Sequence, residues 1–114
     1  MLLPQQMAFA AAVPALPMKA IELGFQFTFG DAYRSPLVFG KFGQKKGYGS
    51  ARSMHKLRLA IDINLFKNGK YLTNSEDYAE LGAYWKSIGG LWGGDFVGLD
   101  GKPNPDGNHF EWPL

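Results

Sequence analysis

Between Leu57 and Leu65 every odd position is aliphatic (Leu57, Leu59, Ile61, Ile63, Leu65), whereas the even positions carry Arg58, Ala60, Asp62 and Asn64. A period of two predicts a strand with one buried face, because successive side chains of extended backbone point to opposite sides. This is the strongest periodicity in the chain. Phe25, Phe27 and Phe29 alternate with Gln26 and Thr28 and predict a half-buried strand ended by Gly30. Asn68-Gly69 signals a tight turn after the long strand, with Lys70 to Leu72 as a short return strand. The segment His109 to Trp112 predicts a closing strand, with His109 and Glu111 on one face and Phe110 and Trp112 on the other.

Elsewhere the spacing is helical. From about Gln5 to Leu23 the apolar residues Met7, Ala10, Ala11, Met18 and Ile21 recur at helical intervals, and Gly24 stands as a C-terminal stop. Pro14 and Pro17 require this helix to start near Pro17 or to kink, since an interior proline costs about 3 kcal/mol. Thr73-Asn74-Ser75-Glu76 fits a capping box ahead of a helix whose apolar face is Tyr78, Leu81, Trp85 and Ile88 and which ends at Gly89-Gly90. The stretch from Ser35 to Ser50, with Gly40, Gly43, Gly47 and Gly49 among lysines, reads as a long irregular loop. Helices at both ends of short, turn-linked strands, without βαβ alternation, predict an α+β fold with a mainly antiparallel sheet.

Length and composition narrow the function classes. A chain of 114 residues suits one domain, here 1–114, and 46% hydrophobic with 15% aromatic residues is the make-up of a packed core. A net charge of +2 lacks the basic stripe of a nucleic-acid binder, so no nucleic-acid partner is expected; Lys41, Lys45 and Lys46 read as a solvated loop. With no cysteine, a thiol nucleophile, a disulfide framework and a thiolate metal site are all excluded, and any metal must be held by nitrogen and oxygen. The opening MLLPQQMAFAAAVPALPMKA has no positively charged start and is broken by Pro4, Pro14 and Pro17, so neither a signal peptide nor a membrane span is expected and synthesis is cytoplasmic.

Asp62 stands between Ile61 and Ile63 in the strand expected to be central, where an aspartate needs a partner, a hydrogen bond or a metal unless its face is solvated. His55 lies seven positions earlier. An odd separation sends two side chains to opposite faces of one strand, so His55 can meet Asp62 only from a loop before it. Downstream, Asp106-Gly107-Asn108-His109 puts a carboxylate on a turn three residues before a strand histidine. Two histidines, a strand aspartate and a turn aspartate could supply three metal ligands and a free base, which is what hydrolytic zinc requires.

Ser53-x-His55, Ala60-x-Asp62 and Asp106-x-x-His109 together resemble the zinc peptidase family of D-alanyl-D-alanine carboxypeptidases and phage L-alanyl-D-glutamate endolysins, which act on bacterial peptidoglycan. Gly30-Asp31-Ala32-Tyr33-Arg34 resembles that family's arginine-bearing segment, and Trp92-Gly93-Gly94-Asp95-Phe96 the tryptophan and glycine segment of its phage members. The resemblance implies a D-Ala-D-Ala peptidase/hedgehog-like fold, α+β, with helices packed on one side of a small sheet. It implies that His55, Asp62 and His109 bind Zn2+, that Asp106 is the general base, that Arg34 steadies the charge developing on the scissile carbonyl, and that Ser53 contacts substrate. The family pattern often has glycine where this chain has Arg58, and many relatives carry glutamate where it has Asp106, a change shared by the phage branch.

Other residues have two readings each. Glu111 is either a surface residue or a partner orienting the His109 imidazole. Trp92, flanked by glycine, is a packing residue first and a lining of the substrate groove second. Asp95 suits a turn better than a metal, and Tyr33 and Tyr48 are open as substrate contacts. The expectation is a monomeric zinc peptidase that cuts the peptidoglycan stem peptide, of the phage or prophage endolysin type, made in the host cytoplasm and acting on the cell wall. The alternatives are a carboxypeptidase trimming terminal D-alanine and a non-catalytic wall-binding module that keeps the fold. A nucleic-acid binder resting on the three lysines is the weakest.

Overall fold

The computed structural model of the protein describes residues 2–45 and 52–114. Two helices open the chain, α1 (Leu3–Ala12) and α2 (Ala15–Glu22), followed by β1 (Gln26–Phe29) and a single helical turn, α3 (Pro36–Phe39). Then come β2 (Ala60–Lys67), β3 (Lys70–Tyr71), α4 (Ala79–Ser87), β4 (Leu91–Trp92) and β5 (His109–Glu111). The sheet runs β1-β2-β5-β4, with β3 also paired to β2, and these ladders are antiparallel. The architecture is therefore the α+β one that the alternation predicts. No helix among the described residues is long and apolar enough to cross a membrane.

The aliphatic face of β2 makes the core. Leu59, Ile61, Ile63 and Leu65 are buried together with Phe9, Leu16 and Ala20 of the opening helices, Tyr78, Leu81 and Trp85 around α4, and Phe110 of β5. Each fully buried aliphatic side chain contributes roughly 1.5–3 kcal/mol. Trp85 is fixed at the centre, donating Nε1–H to the Glu111 carbonyl at 2.9 Å and meeting Phe9 and Trp112 edge-on. With helices covering this face, the even face of β2 is left for Asp62 and Asn64.

Several local expectations change. Leu57 is not in the strand; it closes a 3-10 turn, Met54–Leu57, that ends at Arg58 in the left-handed region (φ 58°, ψ 36°). The opening helix breaks at Val13-Pro14, and Pro17 falls in the first turn of α2, where a missing N–H breaks no intrahelical bond. The break also changes which side faces inward. Phe9, Leu16 and Ala20 are buried, while Met7, Met18 and Ile21 of the expected face are exposed. The capping box does not form: Asn74 makes no side-chain cap, and the Ser75 hydroxyl instead accepts the Gly107 N–H at 2.9 Å. Ile88 lies outside α4 and is exposed. The Asn68-Gly69 turn has both residues left-handed (φ 53° and 76°), as a two-residue hairpin of this twist requires. The loop expected over 35–50 is only partly described, and Lys46 and Tyr48 lie outside the described residues.

Candidate metal centre

Three elements bring the site together. Asp62 projects from the even face of β2, His109 stands directly opposite it on β5, and His55 comes from the 3-10 turn before β2. Ser53 caps that turn, its Oγ accepting the His55 N–H at 3.2 Å. Gly30 lets the chain after β1 pass close to β2, since a Cβ there would lie 2.9 Å from that of Asp62. This passage is tied down by backbone bonds from Gly30 to the Asp62 carbonyl and from Asp62 to the Asp31 carbonyl. Gly93 plays the same part opposite, because a Cβ there would strike the Asp106 carbonyl and the His109 side chain.

One ligand atom from each of His55, Asp62 and His109 lies within 4.8 Å of the other two. His55 Nε2 is 3.2 Å and His109 Nδ1 3.6 Å from the same Asp62 Oδ1. A tetrahedral zinc with bonds near 2.0–2.1 Å holds its ligand atoms roughly 3.3 Å apart. Two edges of the triangle therefore already have the right length.

Proton accounting points the same way. The other nitrogen of His55, Nδ1, faces the Ala32 carbonyl at 3.3 Å, and a carbonyl can only accept, so Nδ1 carries the hydrogen. Nε2 then faces Asp62 Oδ1 at 3.2 Å, where either a proton or a metal ion can lie between the two. His109 is caught between carboxylates, with Nε2 at 2.8 Å from Glu111 Oε1 and Nδ1 toward Asp62. Burial lowers the His109 pKa, but the hydrogen bonds and charges of Asp62 and Glu111 outweigh it and push it up to about 9. Burial likewise raises Asp62, and the His109 and His55 interactions prevail and hold it at about 2. The donor set is two nitrogens and one oxygen in a negative, buried pocket, and it fits a divalent ion of the zinc type.

A cleft of about 650 Å³ opens over this centre, lined by Arg34, Arg52, Ser53, Phe96, Asp106 and His109 among others. Of the residues the sequence singles out, Arg34, Ser53, Asp106, His109 and Glu111 line this one cleft. The Asp106 carboxylate is exposed, and its backbone carbonyl accepts the His109 N–H at 3.1 Å, which fixes the turn against the ligand. Arg34 is held by Asp31 (Nε to Oδ2, 3.2 Å) and by Ser53 (Nη1 to Oγ, 2.9 Å). Glu111 partners His109 and is not a free surface residue.

Trp92 packs, as the first of its two readings has it. Among the described residues it is not part of the cleft lining; its indole donates to the Gly107 carbonyl at 2.7 Å and lies against Gly82 and Gly94, where any side chain would collide with it. It supports the Asp106 turn from behind. Asp95 pairs with Lys86 at 2.8 Å, and the Tyr33 ring lies under the Arg58 guanidinium at 4.0 Å. Arg58 thus turns away from the centre. Sequence reasoning missed Ala32, which acts through its carbonyl, and Phe96, whose ring lies 5.2 Å from that of His109. The glycines beside Phe96 were the only available signal for it.

Two histidines and an aspartate that could hold a metal ion, beside a cleft whose wall carries the Asp106 carboxylate, make an arrangement suited to metal-dependent hydrolysis. The family model for D-alanyl-D-alanine carboxypeptidase matches residues 46–112, more than half of the chain, and covers all three candidate ligands, Asp106 and Glu111. The chain belongs to this family of zinc peptidases, which act on peptidoglycan. The opening helices, β1 and Arg34 precede the matched residues. No curated protein matches the chain.

Proposed function

We propose that residues 1–114 work as one zinc peptidase domain that hydrolyses a peptide bond of the peptidoglycan stem, as an endopeptidase of the phage or prophage L-alanyl-D-glutamate endolysin type. The observation that carries this reading is the meeting of His55, Asp62 and His109 beneath a cleft whose wall bears Asp106. Zn2+ held by these three residues would supply Lewis-acid polarisation of the attacked carbonyl and of the water beside it. Asp106, exposed to the cleft, accepts the proton of the attacking water and passes it to the leaving amine. Arg34, held by Asp31 and Ser53, presents its charge to the oxygen on which negative charge develops. Ala32 fixes the tautomer of His55, and Glu111 sets the orientation of His109.

The description of the matching family favours a second reading, removal of a terminal D-alanine. Mass spectrometry of purified peptidoglycan treated with zinc-loaded protein separates the two. A new amino terminus behind the glycan-linked alanine is expected, and release of free alanine supports trimming. Intact wall after treatment with folded, zinc-loaded protein would overturn both, leaving a wall-binding module.

A further inference from the structure

The cleft holds two guanidinium groups, and only one of them is accounted for. Arg34 is pinned by Asp31 and Ser53, whereas among the described residues no carboxylate pairs with Arg52. Arg52 is exposed on the cleft wall with its guanidinium 5.9 Å from the centre of the Phe42 ring. The turn that carries Phe42 is held, because the buried Lys56 ammonium donates to the carbonyls of Lys41 and Gln44 at 3.5 and 2.5 Å. An arginine fork beside an aromatic ring on a held turn is partly pre-oriented. Of the nearby acidic groups, Glu111 is occupied by His109, and the exposed Asp106 carboxylate forms no ion pair with Arg52 among the described residues.

We propose that Arg52 is a specificity residue that receives a carboxylate of an anionic peptide lying in the cleft, by two parallel N–H donations to its two oxygens. The inference rests on the peptidase reading above. The carboxylate could belong to an acidic residue within the peptide or to its free C-terminus, since both offer the same planar pair of oxygens.

Three stem-peptide analogues separate these sources: one with only the internal carboxylate, one with only the terminal carboxylate, and one with both amidated. Binding by titration calorimetry and cleavage by mass spectrometry are measured on zinc-loaded wild type, Arg52→Ala and Arg52→Lys. Wild type is expected to bind one carboxylate peptide about ten- to a hundredfold more tightly than the doubly amidated one. Arg52→Ala erases that preference with zinc content and affinity for the amidated peptide unchanged, and Arg52→Lys keeps part of it. The arm that shows the preference names the source. Equal binding of all three peptides by wild type, or equal weakening of all three in Arg52→Ala, overturns the proposal. An Arg52-dependent preference without cleavage sinks the peptidase reading alone, and cleavage without a preference sinks this one alone.

Discussion

The two faces of β2 are made by alternate residues of one strand and do different work. The odd face, Ile61 to Leu65, is buried against helices and derives its energy from area, spread over many contacts. The even face concentrates its effect in Asp62, on whose one carboxylate oxygen both histidines converge. The difference teaches that this strand is a stability element on one side and a chemical one on the other, so substitutions one residue apart should fail in different ways.

The sharpest break is Asp62→Ala. Zinc affinity should fall by more than the roughly 10–100-fold that a supporting partner supplies, and hydrolysis should vanish, while circular dichroism still reports the folded chain. Ile63→Ala, one position on, should do the reverse. Denaturant melts should show a loss of about 2–5 kcal/mol, with the folded fraction still taking up zinc one to one. If Ile63→Ala abolished zinc uptake by folded protein, the division between faces would be wrong.

Next in size is Glu111→Gln, which leaves the shape of the β5 face but removes the charge beside His109. Calorimetry should register a zinc affinity lower by about 10–100-fold.

Protonation refines the comparison further. In the metal-free protein His109 is held up at about 9, so it contributes stability that is full below its ordinary pKa of 6.5 and is lost as pH rises through 9. Asp62 is held down at about 2, so its contribution is present above 3.8 and is lost as pH falls through 2. Zinc must displace the His109 proton, and its affinity should therefore fall by about tenfold per pH unit below 9. Melts against pH with chelator, and titrations of zinc at several pH values, should move in opposite directions between 6.5 and 9.

The smallest effect is expected at Arg58, where the strand has not yet begun. Arg58→Gly removes about 1–2 kcal/mol of left-handed strain but also a stack on Tyr33 worth about 0.5–1 kcal/mol and some chain stiffness. Melts should shift by no more than about 1 kcal/mol, with zinc binding unaltered.

Much of the site was legible because its logic is local. The odd spacing of His55 and Asp62 forced the histidine off the strand, and it indeed stands on the turn before it. The alternation of His109 and Glu111 put both on one face, and they are in contact. The register that sets Asp62 opposite His109 is a pairing of distant segments, which single-chain periodicity does not encode. Proline defeated the reading of the opening helices, since the break at Val13-Pro14 rotates α2 relative to α1 and buries Leu16 and Ala20 in place of Met18 and Ile21. A role played by a backbone carbonyl, as at Ala32, leaves no mark on residue identity. Trp92 follows its packing reading, since the glycines around it admit its own indole.

The measurement closest to the central claim is crystallography of the zinc-soaked protein with anomalous scattering at the zinc edge. The account predicts one zinc per chain, bound by Nε2 of His55, a carboxylate oxygen of Asp62 and Nδ1 of His109. A zinc bound elsewhere, or a centre that stays protonated and empty at pH 9 with zinc in excess, would contradict it.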